Sequence, residues 1–405
     1  SSSTGLTATL AGNLLNQSGL FTAGGDLQLS SADLIHQHGE LAAGGPLQLR
    51  SGHLDNSQAG RIHGYNLNAD LASLEQLDGG QLYSQNDLAL TLNQGHLGNQ
   101  GGLINTPGQL LLNALNTVDN RGGEISGSRA FLFDAASLDN RDGKLLSDQL
   151  LTLRIARALD NAAGLVSAAR LDGRIGSLGN AAGTFTIGND LSLSVGGLLD
   201  NRGGELLARE LTLSAGEVDN RHGRIQGDQR VALDSRGAVL NGMGSLVAGS
   251  AFSLTADSLD NSAGTWTSNG SLDATIIGQL LNQGGTLATA GDLGLAVGSL
   301  LNLHGSLSSK THLRLSGASL DNRQGDLFAR EHLEILGTGL LDNRQGSLRS
   351  DQRLDLRALQ LNNGSAGRIG AGAHLNASVA GLEQLDDGQM LSLIHISEPT
   401  RQEAI

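Results

Sequence analysis

The chain has 405 residues, with 59 Gly, 3 Pro, no Cys, 2% aromatic residues and a formal net charge of −14. That charge argues against nucleic acid or an anionic membrane surface as a partner, because both need a basic footprint. The absence of Cys excludes a disulfide scaffold, a thiolate zinc site and a cysteine nucleophile, and the scarcity of aromatic anchors favours many short strands joined by tight turns.

The first ten residues, SSSTGLTATL, carry neither an initiator Met nor the basic-then-apolar pattern of a signal peptide, so the chain reads as an interior piece of something longer. No run of about 18 apolar residues is present to span a membrane as a helix. From residue 12 onward a single motif recurs, seen most fully as LDNRGGEL at Leu199–Leu206. Its Asn, or the residue standing in for it, falls at Asn16, His36, Asn56, Gly79, Asn99, Asn120, Asn140, Asn161, Asn180 and Asn201. The series continues through Asn220, Asn241, Asn261, Asn282, Asn302, Asn322, Asn343 and Asn363, and from Asn99 each step is 19 to 21 residues.

Between markers, apolar residues alternate in short bursts: Leu206 and Ala208, then Leu211 and Leu213, then Val218, with Asn220 closing the set. Period two, broken and restarted at corners, predicts three short strands per repeat with Leu, Val, Ile and Ala turned inward. A helix would need apolar residues three and four apart over ten or more positions. The expected fold is therefore all-β, a parallel β-helix (β-solenoid) of about 19 coils with a period near 20 residues. At a coil spacing of about 4.8 Å it would form a rod on the order of 90 Å long. The repeat region is read as a single body over residues 1–390.

A second level of repetition links two distant segments. AGRIHGYNLNADLASLEQLDGGQL at Ala59–Leu82 returns as AGRIGAGAHLNASVAGLEQLDDGQM at Ala366–Met390. Both follow an Asn by six rather than five residues to the next Ile (Asn56 to Ile62, Asn363 to Ile369), and both continue into a shortened Leu-Asp-Gly-Gly-Gln or Leu-Asp-Asp-Gly-Gln. Shared irregularities point to duplication of a multi-coil block. After Met390 the pattern stops: Leu391–Ile405 has no Gly or Asn, and its first eleven residues match the in-frame translation of a common transposase sequencing adapter. This tail is read as read-through and set apart from the repeat body.

The repeated Asn residues have a structural reading. Asn tolerates left-handed backbone at a corner and its amide caps turn groups. Stacked in register, each amide can donate to one neighbour and accept from the other. The expected ladder comprises Asn99, Asn120, Asn140, Asn161, Asn180, Asn201, Asn220, Asn241, Asn261, Asn282, Asn302, Asn322, Asn343 and Asn363; a sugar-binding row is the alternative. Asp and Arg flank Asn at Asp139–Arg141, Asp200–Arg202, Asp219–Arg221, Asp321–Arg323 and Asp342–Arg344. Both are expected to face solvent, with Arg of one coil reaching Asp of its neighbour. Trp266, the sole tryptophan, aligns with Leu206 and Phe185 at an inward position.

Nothing marks a catalytic, cofactor or metal site. His36, His38 and His53 are the densest histidine group, but His36 occupies a marker position and no carboxylate stands beside it. None of the common metalloprotease, nucleophile-elbow, phosphate-loop, dinucleotide or calcium-repeat strings is present. No cofactor is expected.

The repeated LDNRxGxL at a period near 20, in a Cys-free chain rich in Gly, Asn and Leu, resembles the haemagglutinin repeats of filamentous haemagglutinin-like exoproteins, among them the contact-dependent growth inhibition proteins. The resemblance spans approximately Gly12–Met390. It implies a right-handed parallel β-helix in a large secreted protein at the Gram-negative cell surface, exported by an outer-membrane two-partner secretion transporter and serving as a structural and adhesive shaft. A host or neighbouring-cell surface receptor is a candidate partner. Family members carry an amino-terminal secretion domain and, in the inhibition branch, a carboxy-terminal toxin; neither is recognisable here, which leaves the branch open. A β-helix carbohydrate-active enzyme and a leucine-rich-repeat binding module are the competing readings. In the leucine-rich repeat L-x-L stands three residues before Asn, whereas Leu213 precedes Asn220 by seven.

Overall fold

A computed structural model describes residues 2–392. Every named strand among them pairs in parallel and no helix is present, giving an all-β parallel solenoid of about 19 turns with a period of about 20 residues. The contacts divide the chain into two compact units, one ending at Gly237 and the other beginning at Ala238.

In the first unit, one coil runs through strands Thr184–Ile187, Asp190–Val195 and Leu198–Asp200. The next coil lies on it in register: Phe185 opposite Leu206, Leu191 opposite Leu211, Leu193 opposite Leu213 and Leu199 opposite Val218. Like residues therefore stack on like, and the inward rows of Leu, Ile, Val and Ala are buried. Alternation sets which side chains go in, since successive residues of a strand face opposite ways. Ala215 also turns inward at the end of strand Glu205–Ala215, an inward position between Leu213 and Val218 that lies outside the apolar set recognised from the sequence.

The second unit repeats this plan. Trp266 stacks between Leu246 and Leu287, is 0% exposed, and meets Phe252 edge-on with ring centroids 5.3 Å apart. Strand Gln389–Ser392 pairs with Arg368–Ala371, so Leu391 and Ser392 of the tail lie in register with Gly370 and Ala371. The rest of the tail, 393–405, lies outside the described residues.

The corners differ from the sequence expectation. No marker Asn has positive φ. The left-handed residue stands two positions later and is usually not glycine: Asp142, Ala163, Ala182, His222, Ala263, Gln324 and Gln345 occupy it, and Gly203 is one of the few glycines there. Asn keeps strand-end geometry because its side chain must point inward, and the reversal is left to an exposed position. The glycine three residues after Asn is required for space. A Cβ on Gly204 would overlap the Asn180 carbonyl oxygen of the preceding coil and stand 3.0 Å from the Asn180 Nδ2, whereas a Cβ on Gly203 would meet nothing within 4 Å.

Candidate functional site

The most regular polar feature is the inward row at the Asn corners. In the first unit, the Nδ2 of each Asn donates to the Oδ1 of the next from Asn99 through Asn120, Asn140, Asn161, Asn180 and Asn201 to Asn220, at 2.6–2.8 Å. In the second unit the same bonds run from Asn241 through Asn261, Asn282, Asn302, Asn322 and Asn343 to Asn363, at 2.7–2.8 Å. The amide also bonds its own corner, as from Asn180 to the Gly183 carbonyl at 3.1 Å, and the following coil, as to the Glu205 carbonyl at 3.3 Å. These side chains are buried, so the row satisfies its own amides and gives a second donor to corner carbonyls that the next coil already pairs, as the Glu205 N–H does for Gly183 at 2.9 Å.

The stand-in assigned to Gly79 is corrected by the structure. Gly79 is a half-buried corner glycine at φ +82, and the buried residue in the row is Gln76. Its Oε1 accepts from Asn56 at 3.0 Å, while its Nε2 donates to Asn99 Oδ1 at 2.9 Å and to the Leu103 carbonyl at 2.8 Å. The motif there is not shortened. It has Gln in place of Asn and one extra residue, with Asp78 and Gly79 both left-handed. Asn56 heads a corner of the same kind, with Gln58 and Ala59 left-handed, and the distant copy repeats it at Ser365–Ala366 and Asp386–Asp387.

His36 takes the row position in an early coil. The Asn16 amide donates to its Nδ1 at 3.0 Å, which leaves Nε2–H to donate to the Arg61 carbonyl at 3.1 Å. Burial pushes the imidazole pKa down, against the raising effects of that backbone bond and of Glu40. Because its donor is spent on Arg61, Asn56 Oδ1 is buried without a partner. His38 sits at the left-handed corner position and His53 bonds Ser73 through Nδ1 at 2.8 Å, so the three histidines hold separate structural positions. No group of three or more His, Cys, Asp or Glu among the described residues is arranged to hold a metal ion.

The Asp and Arg that flank Asn form a charged seam, but the main partner is within the coil. Arg202 reaches back to Asp200, with Nε to Oδ1 at 2.9 Å and Nη2 to Oδ2 at 2.7 Å, and approaches Asp219 of the next coil only to 3.8 Å. Arg141 repeats the fork to Asp139, with Asp160 at 3.5 Å, and Arg121 makes the same fork to Asp119, a pair absent from the sequence-derived set. The two-residue spacing lets a planar guanidinium curl over the intervening Asn and meet both carboxylate oxygens. Asp219 and Asp342 are buried beneath their arginines, where solvent exposure was expected. The Arg202 hydrogen bond is the leading cause holding the Asp200 pKa below its ordinary value.

No helix among the described residues is long and apolar enough to cross a membrane. No curated protein and no solved structure matches the chain. The haemagglutinin-repeat family model matches residues 3–73, 64–122, 89–154, 132–203, 206–242, 241–277, 267–345 and 325–384. These overlapping matches cover most of the sequence and follow the coils that the Asn corners punctuate, and the chain belongs to the haemagglutinin-repeat family.

Proposed function

We propose that this segment is a length of the shaft of a secreted, cell-surface exoprotein, that it holds a distal adhesin or toxin away from the cell, and that it performs no catalysis itself. Export through an outer-membrane two-partner secretion transporter belongs to the same reading, as does a host or neighbouring-cell receptor at the far end. The observation that carries it is the sameness of the coils: corner, ladder rung and inward Leu recur from Asn99 to Asn220 and from Asn241 to Asn363. A repeat that conserves its packing and varies only its outer face serves to set length.

The test uses the full exoprotein on intact cells with an epitope at its distal end. In-frame deletion of whole coils between equivalent Asn markers should bring that epitope closer by about 4.8 Å per coil removed while export continues. A distal epitope whose position ignores coil number would sink the shaft reading, and turnover of a glycan by the purified chain would replace it with the carbohydrate-active one.

A further inference from the structure

In the first unit, one outward row of the second strand runs along the stack as Asp134, Arg154, Arg174, Ser194, Ser214 and Asp234, each opposite the next. Beside it, at the corner that leads to the third strand, the chain carries only Ala156, Gly176, Gly196 and Gly216 in four successive coils. A cavity of about 500 Å³ opens there, with Ile155, Ile175 and Val195 among the residues that border it. In the next coil the corner position is Arg236, whose Nη2 folds back across two coils to the Gly196 carbonyl and closes the groove.

The fold accounts for only part of this. A Cβ on Gly176 would overlap the Arg157 carbonyl oxygen, so that glycine is needed for packing. Gly196 has no left-handed φ, and its Cβ would come no nearer than 3.2 Å to any atom, while Arg236 shows that the position accepts a long side chain. The charges are also unevenly committed. Arg154 is held by Asp172 at 2.9 Å and by the Leu153 carbonyl, and Arg236 by Gly196. The Arg174 guanidinium has no hydrogen bond or ion pair to any described residue, although the Arg174 backbone is paired in the sheet.

We propose that this groove binds a linear polysaccharide carrying isolated carboxylates, lying parallel to the stack, with one uronate carboxylate on the Arg174 guanidinium and sugar hydroxyls on Ser194 and Ser214. A free planar fork fits a carboxylate through two parallel hydrogen bonds. The coil spacing of about 4.8 Å is close to the advance of one pyranose along its chain, whereas an extended peptide advances about 3.3 Å per residue and falls out of step with the rows. Asp134 and Asp234 end the row and the chain is acidic overall, so a densely charged polymer is repelled where a sparsely charged one is not. The inference is independent of whether the shaft projects a distal domain.

The test is calorimetric titration of the purified chain with hyaluronan oligosaccharides, which carry a carboxylate on alternate sugars. Dextran, heparin and poly-glutamate are the comparison probes. Hyaluronan should bind and dextran should not. R174A should weaken binding at least about tenfold, S194W should abolish it by filling the groove, and R224A, which removes the same charge from another face, should change little. Both groove substitutions are at exposed positions, and an unchanged circular dichroism spectrum shows that the fold is retained. The proposal is overturned by absence of hyaluronan binding, by equal losses in R174A and R224A, by tighter binding of heparin, or by equal competition from poly-glutamate.

Discussion

Asn180 shows how much one side chain holds in this fold. It accepts from Asn161, donates to Asn201, and bonds the Gly183 and Glu205 carbonyls, with its own side chain wholly buried. Asn180→Ala takes away the acceptor of the Asn161 amide and the donor to Asn201 Oδ1, at a cost of about 1–3 kcal/mol for each buried group orphaned. We expect a lower urea midpoint and loss of amide exchange protection in the adjoining coils; Asn180→Leu should do no better, because the neighbours' polar groups remain. The two glycines after Asn201 should separate cleanly. Gly203→Ala costs about 1–2 kcal/mol for left-handed backbone, a geometry that Ala163 and Ala182 already adopt in their coils. Gly204→Ala should cost distinctly more, since its Cβ has the Asn180 carbonyl in its way, and equal urea midpoints for the two variants would remove this account. The Asp pKa values set the acid response. A hydrogen bond from Arg202 leads in lowering that of Asp200, and one from Arg353 leads in lowering that of Asp355, which alone falls to about 2. A folded pKa below the unfolded one gives stability that is complete above the ordinary carboxylate value of about 4. It is lost as pH falls through the folded value, so urea midpoints should drop between about pH 4 and pH 2. Arg202→Gln should flatten the part of that drop that belongs to its own coil.

At the scale of the coil, the period and the inward positions were legible in the sequence because one face of every strand is buried, and that constraint writes alternation directly into residue type. Corner geometry was not legible in the same way. An exposed left-handed residue leaves no signature when Asp142, Ala163, His222 and Gln345 all serve, and the Arg fork depends on a side chain doubling back, which residue spacing does not reveal. Gln76 was hidden because the row was followed by its Asn identity. The signal was there in the glycine: Gly60, Gly80, Gly367 and Gly388 each stand four residues after the row residue and two before an inward apolar one. Counting back from them finds Gln76 and Gln384 in place of Asn. The wide corner and the longer side chain come together at Gln76, which spans from Asn56 to Asn99. Gln76→Asn shortens the reach by about 1.5 Å and cannot keep both bonds. Exchange protection should fall in the coils of Asn56 and Asn99, and the urea midpoint should drop with a stability loss of about 1–3 kcal/mol; protection equal to the parent chain would show that the corner, not the Gln, sets the rung.

Across the whole molecule, stability should behave as a sum of coil and coil–coil terms, because strand pairing joins each coil to its immediate neighbours. Trp266 is the place to test that. It is the sole tryptophan, wholly buried, edge-on to Phe252, and its Nε1–H has no hydrogen-bond partner. Its emission should therefore be blue-shifted in the native chain and report unfolding around its own coil. Trp266→Ala opens a cavity and should cost about 3–5 kcal/mol. Trp266→Leu should cost less, since it extends the row set by Leu246 and Leu287 and removes an N–H that is desolvated without compensation. Hydrogen exchange read strand by strand then distinguishes a nearest-neighbour stack from a single cooperative body. In Trp266→Ala, protection should fall in strands Ser245–Ala248 and Thr286–Thr289, which pair with the tryptophan strand, and stay at the parent level in Leu88–Gly98 of the first unit. A uniform fall along the chain would mean that the coils unfold together. Substitutions in one coil would then be felt in all, and the nearest-neighbour account of the stack would fail.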